Sequence, residues 1–116
     1  MTPSSELDDL FDDVTRPLLV GYVRRDLLSS DGVVEQLVAQ MAVFARREGF
    51  SMGYTYVERA ATSLAALEAL VEFVGRTEDA AVVIPSPLHF LAIDGPINLK
   101  EIFERATGTR VLMLTS

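Results

Sequence analysis

Four residues offer groups with chemistry at positions where a folded chain would use them: Arg24, Asp26, Ser86 and His89. Arg24 closes an apolar run, and its planar fork matches a phosphate or a carboxylate, which it would clamp. The competing reading is a solvated or ion-paired arginine at a strand end. Asp26 supplies one carboxylate, a base or a metal ligand of little specificity by itself. Ser86 is rigidly placed between Pro85 and Pro87, but a serine nucleophile needs an activating base. His89 lies three residues on, and no carboxylate close in sequence is positioned to orient it as in a triad. Beside Leu88, Phe90 and Leu91, its competing role is that of a packed histidine.

Other chemistry is excluded by residues the chain lacks. There is no cysteine, so disulfides, thiolate nucleophiles and Cys-ligated metals are ruled out, and His89 is the single histidine. Neither a G-x-G-x-x-G nor a G-x-x-x-x-G-K-[ST] loop occurs, so no phosphate cradle is expected. Asp12 and Asp13 come before the first predicted strand, whereas a phospho-acceptor receiver domain gathers its acids after it. We therefore expect no cofactor and no metal.

A second constellation is built for contact. Leu7, Leu10, Phe11 and Val14 follow the i, i+3, i+4, i+7 spacing of an amphipathic helix. Ser5 with Asp8 resembles a capping box, and Pro17 marks the end. Glu6, Asp8, Asp9, Asp12 and Asp13 place five acids and no base in the first 13 residues. The net charge of −7 is concentrated there, and the rest of the chain is nearly neutral. Neither part shows the clustered basic face that nucleic-acid contact requires. We divide the chain into an acidic N-terminal arm, residues 1–16, and one domain, residues 17–116. At 116 residues and 49% apolar composition, one core is the expectation. No apolar run approaches a membrane span and no signal peptide opens the chain, so the default expectation is cytoplasmic.

The elements that position these groups alternate. Leu18–Val23 reads as a strand buried on both faces. Leu27–Gly32 reads as a loop, followed by a helix with Val34, Leu37, Val38, Met41, Phe44 and Ala45 on one face and its end at Gly49. Ser51–Glu58 is a second strand. Leu64, Leu67, Leu70, Val71 and Val74 form a second helix face, closed by Gly75. Ala80–Ile84 is a third buried strand, stopped by Pro85. Asn98 and Glu101 are placed to cap a third helix with Leu99, Ile102, Phe103 and Ala106 inward and Gly108 after its end; Arg110–Leu114 is a fourth strand. This order predicts an α/β fold: three layers, α/β/α, around a mostly parallel four-stranded sheet. Ligands in such sheets bind beyond the strand carboxyl ends, where Arg24, Asp26, Ser86 and His89 fall.

Gly21-Tyr22-Val23-Arg24, followed by a helix ending in Ala45-x-x-x-Gly49, resembles the start of the serine recombinase (resolvase/invertase) catalytic domain. Tyr56-Val57-Glu58, Leu67-x-x-Leu70, Ala81–Ile84 with Leu88–Leu91, and Thr109–Leu114 continue the resemblance over about residues 18–115. It implies a resolvase-like fold. The departures bear on activity. The family's Tyr-x-Arg-x-Ser carries the serine that attacks DNA, and here Asp26 stands in that position. Ser29 and Ser30 come three and four residues later. Of the family's Asp-Arg-Leu-Gly-Arg motif, matched to Leu88, His89 and Ala92, only His89 keeps a group able to carry positive charge. The family's long dimerisation helix and DNA-binding module have no counterpart in these residues. Phosphoryl transfer needs clustered positive charge, so the resemblance implies a domain without catalysis.

The expected function is a catalytically inactive resolvase-like domain acting as a protein-interaction or regulatory module. Leu7, Leu10, Phe11 and Val14 would face a protein partner or a second copy, with no membrane and no direct nucleic-acid contact. The alternative is an enzyme acting on a small molecule or phosphoester at a rebuilt site of Arg24, Asp26, Ser86 and His89. Active DNA strand exchange is the reading that the residues oppose.

Overall fold

The computed structural model describes residues 16–60, 62–90 and 99–114, apart from the side chain of Leu99. The chain runs β1 (Leu18–Arg24), a 3-10 turn (Arg25–Leu27), α1 (Asp31–Arg47), β2 (Ser51–Glu58), α2 (Ala65–Gly75), β3 (Ala81–Ile84), α3 (Leu99–Thr107) and β4 (Val111–Met113). The four strands form one sheet in the order β2-β1-β3-β4. Every pairing is parallel, with Tyr22 beside Tyr56, Val20 beside Val82 and Val83 beside Leu112.

The strand sequences explain that order. β1 and β3 are continuous apolar runs, and a strand covered on both faces belongs in the middle of a parallel sheet. Leu19, Tyr22 and Val23, and Val82, Val83 and Ile84, are fully buried. β2 mixes tyrosine, glycine and threonine and takes an edge, with only Glu58 buried along its length. Opposite Val20, β2 carries one extra residue, because Leu19 pairs with Met52 and Gly21 with Thr55. This bulge bends the edge strand.

Two cores lie on the two faces. Val20, Tyr22, Val82 and Ile84 pack with Leu70 and Val74 of α2, Phe103 of α3 and Phe90. Leu19, Val23, Ala81 and Val83 pack with Met41 and Ala45 of α1 and with Phe50. The three-layer α/β/α arrangement is therefore present, with an all-parallel sheet.

Helix ends follow local chemistry. α1 starts earlier than the periodicity of its apolar face predicts, because Ser30 caps it: its hydroxyl accepts from the Val33 amide at 3.4 Å. At its far end the Phe50 amide donates to the Ala45 carbonyl at 2.7 Å and the Gly49 amide to that of Arg46. Gly49 has φ +83°, the left-handed residue that this Schellman closure requires.

Four expected core positions need correction. Leu64 is 41% exposed because it lies outside α2 as its cap residue, and Val71 is 40% exposed. α2 instead seats Leu70 and Val74, with Leu67 and Phe73 beside them. Ile102 and Ala106 are exposed. They share one flank of α3, and that helix reaches the core through Phe103, whose ring lies 5.6 Å from that of Phe90. Asn98 and the N-terminal arm up to residue 15 lie outside the described residues, so the proposed cap and the stripe of Leu7, Leu10, Phe11 and Val14 do too. No helix among the described residues is long and apolar enough to cross a membrane.

Candidate functional site

In the order β2-β1-β3-β4 the chain goes one way from β1 to β2 and the other way to β3. The switch point is the crevice between β1 and β3, where open α/β sheets bind ligands. β1 ends in Arg24 and leads into Asp26, while β3 ends at Ile84 and leads through Ser86 to His89. The fold thus brings all four sequence-predicted residues to its one topologically favoured site.

Arg24 meets Asp26 there, and the His89 ring meets the Arg24 main chain. Arg24 is 2% exposed, with its guanidinium packed inside the protein. Its Nε lies 3.3 Å from Asp26 Oδ1, and its Nη1 donates to the Tyr22 hydroxyl at 3.4 Å. Tyr22 in turn donates to Glu58 Oε2 at 3.2 Å. Arg24 and Glu58 are register neighbours on β1 and β2, so one pair of strands positions the whole relay.

Glu58 is the residue that sequence reasoning passed over. It is buried, and both its oxygens lie 3.1 Å from the Ala66 amide, with Oε2 also 3.1 Å from that of Leu67. Those amides open α2, so this carboxylate caps a helix from the neighbouring strand, where the backbone dipole favours negative charge. Burial raises its pKa, but the Ala66 and Leu67 amides, Ser63 and Tyr22 outweigh that and hold it below the ordinary glutamate value. Tyr22 moves the other way. Burial comes first and the Glu58 charge adds to it, against the Arg24 hydrogen bond, and the phenol is pushed up to about 12. The only sequence signal for Glu58 was an acid at a strand end followed within a few residues by a helix start.

His89 is 4% exposed, and its Nδ1 accepts the backbone amide of Arg24 at 2.9 Å. That bond ties β3's outgoing turn to β1 across the switch point. It also leaves the proton of the neutral ring on Nε2. Burial, helped by the Arg24 charge and opposed by Asp26, lowers its pKa to about 4. The ring is therefore neutral at pH 7 and contributes no positive charge. Its backbone amide donates to the Ser86 carbonyl at 3.2 Å, closing a turn. No hydrogen bond joins the Ser86 hydroxyl to the imidazole among the described residues.

The electrostatics of the cluster disfavour an incoming anion. The guanidinium of Arg24 already has the Asp26 carboxylate beside it, with that of Glu58 one hydroxyl further on through Tyr22, and a phosphate would have to compete with them inside a buried site. Ser30, a candidate late nucleophile, is occupied as the cap of α1. Among the described residues no group of three His, Cys, Asp or Glu could hold a metal ion. The arrangement is suited to joining three strand ends and a helix start through buried polar bonds.

Comparison with protein-family models, with curated proteins and with solved structures finds no match to this chain.

Proposed function

We propose that this chain is a catalytically inactive, resolvase-like α/β domain that acts as a protein-interaction or regulatory module. One observation carries the reading: the polar groups at the switch point are engaged with one another. Arg24, which with Tyr22 survives from the Tyr-x-Arg-x-Ser pattern, is buried against Asp26 and Tyr22. Asp26, in the nucleophile's position, is its ion-pair partner. His89 accepts from the main chain and is uncharged at pH 7. Without a nucleophile, a free anion clamp or a cationic imidazole, phosphoryl transfer lacks its charge stabilisation.

The partner is a protein or a second copy. In the sequence, the stripe of Leu7, Leu10, Phe11 and Val14 supports this. In the structure, exposed apolar side chains beyond the strand ends do so, Leu27, Leu64 and Leu88 each following a different strand. The test is affinity capture of the tagged chain with and without nuclease, followed by mass spectrometry. A stoichiometric protein that survives nuclease is the expected result. Retention that depends on nucleic acid would overturn it.

A second reading has one observation in its favour: Arg24, Asp26, Ser86 and His89 do sit at the ligand-binding position of the sheet. It is an enzyme acting on a small molecule or phosphoester. Turnover on an ester and phosphoester panel, abolished by His89→Gln in a protein of unchanged stability, would establish it over the first.

A further inference from the structure

Among the described residues, one face of the sheet is half covered. α1 is the one helix described on that face, and it packs on β2 and β1. Beside it, toward β4, lies a groove of about 390 Å³ lined by Ala39, Gln40, Val43, Phe44, Arg47 and Leu114. Val43 is 57% exposed, and Leu112 and Leu114 are half-buried. Arg46 and Arg47 stand exposed at the lower end of α1. The groove calls for an amphipathic helix two turns long, apolar toward the sheet and acidic outside.

The chain carries such a segment, tethered at the right place. Arg16 and Pro17 line a cavity with Phe50, Ala80, Ala81 and Arg110, at the foot of β1, β3 and β4. A helix that ends near Val14 and turns through Thr15–Pro17 into β1 would run antiparallel to the strand, and so parallel to α1. Leu7 to Val14 rises about 11 Å and Ala39 to Arg47 about 12 Å at 1.5 Å per residue, so the two match in length. In that arrangement Val14 would come level with Arg47, Leu10 and Phe11 with Val43, and Leu7 with Ala39. The five acids of the segment complement the charge of Arg46 and Arg47.

We infer that residues 5–14 dock as a helix in the groove between α1 and β4 of the same chain, with Leu7, Leu10, Phe11 and Val14 inward. The short tether favours this over a second copy, because it holds the segment at a millimolar effective concentration. Docking is a property of the isolated chain and stands without the interaction-module reading. If both hold, a partner that takes the stripe must first displace it from the groove.

The absence of cysteine makes disulfide trapping clean. Leu10→Cys is combined with Val43→Cys in the groove or, as a control, with Val71→Cys on the opposite face. In the purified full chain under mild oxidant, the Val43 pair should close an intramolecular disulfide about tenfold faster than the control. The rate should not change with protein concentration, and Arg46→Glu with Arg47→Glu should slow it. Equal rates for the two pairs overturn the inference. So do disulfide-linked dimers that increase with concentration, which would place the segment on a second copy. Leu7→Cys with Ala39→Cys repeats the test at a second level should either substitution at the first disturb folding.

Discussion

Replacing Glu58 by alanine tests whether the strand-end cluster holds the fold together. The side chain caps α2 through two amides and accepts from Tyr22, all within 3.1–3.2 Å. Loss of a helix cap costs about 1 kcal/mol. A buried tyrosine hydroxyl left without its acceptor costs about 1–2 kcal/mol more. Arg24 keeps Asp26 as its counter-charge, but the phenol it donates to loses the acceptor that orients it, and breaking a buried charged network costs about 3–5 kcal/mol in all. Glu58→Ala should therefore cost about 4 kcal/mol, and Glu58→Gln, which keeps one acceptor oxygen, about 1–2 kcal/mol. Urea unfolding at pH 7 reads both. With m of about 2 kcal/mol/M, the alanine variant should shift the midpoint by about 2 M. The pH dependence supplies an independent check. The folded pKa of Glu58 is depressed, so its stabilisation is complete above 4.5 and is lost as pH falls through the lower folded value. Glu58→Gln should lack that acid loss. A cost below about 1 kcal/mol for Glu58→Ala, within the scatter of surface substitutions, would refute the cap-and-relay account.

Three further outcomes follow from buried groups. His89 is lowered from 6.5 to about 4, so the unfolded chain binds the proton more readily between those values. Stability should then be full above 6.5 and fall toward pH 4 by up to about 1.4 kcal/mol per pH unit. His89→Asn, which offers an oxygen to the Arg24 amide, should flatten that slope in urea titrations across the window. Gly21→Ala would put a methyl 2.7 Å from Met41 Sδ and 3.0 Å from Thr55 Oγ1 in the core under α1. It should lower stability by about 1–3 kcal/mol, read as a drop in melting temperature. Thr55 Oγ1 is buried with no hydrogen-bond partner among the described residues, so Thr55→Val should raise stability by about 1 kcal/mol; a loss would mean the hydroxyl has a role.

The strands were legible because their chemistry is local. Leu18–Val23 and Ala81–Ile84 are apolar without interruption, and a chain can bury such runs only in the middle of a parallel sheet. Ser51–Glu58 was equally plain from its tyrosines and β-branched residues between two turns. The helix faces were less so, because periodicity marks a stripe without saying which part meets the sheet. Val71 and Ile102 keep the spacing, yet α2 and α3 are rotated so that Leu70 and Phe103 take the contact. The location of the candidate site also followed from element order. Its internal wiring did not, since the Tyr22–Glu58 bond joins residues 36 apart and depends on strand register. Nothing near Arg24 in sequence shows that its guanidinium points inward, or that the imidazole of His89 receives its amide.

The central position of β1 has a consequence for synthesis. β1 leaves the ribosome before both of its neighbours, and Leu19 meets Ala81 only after β3 has been made. α1 can cover one face of its apolar run early, but the face carrying Val20 and Tyr22 stays open until Leu70, Val74, Phe90 and Phe103 have been translated. Sheets assembled from such distant pairings close slowly, because loop entropy is lost before contacts form. The nascent chain thus has a long interval in which Leu18–Val23 is a target for chaperones or for association with other unfinished chains.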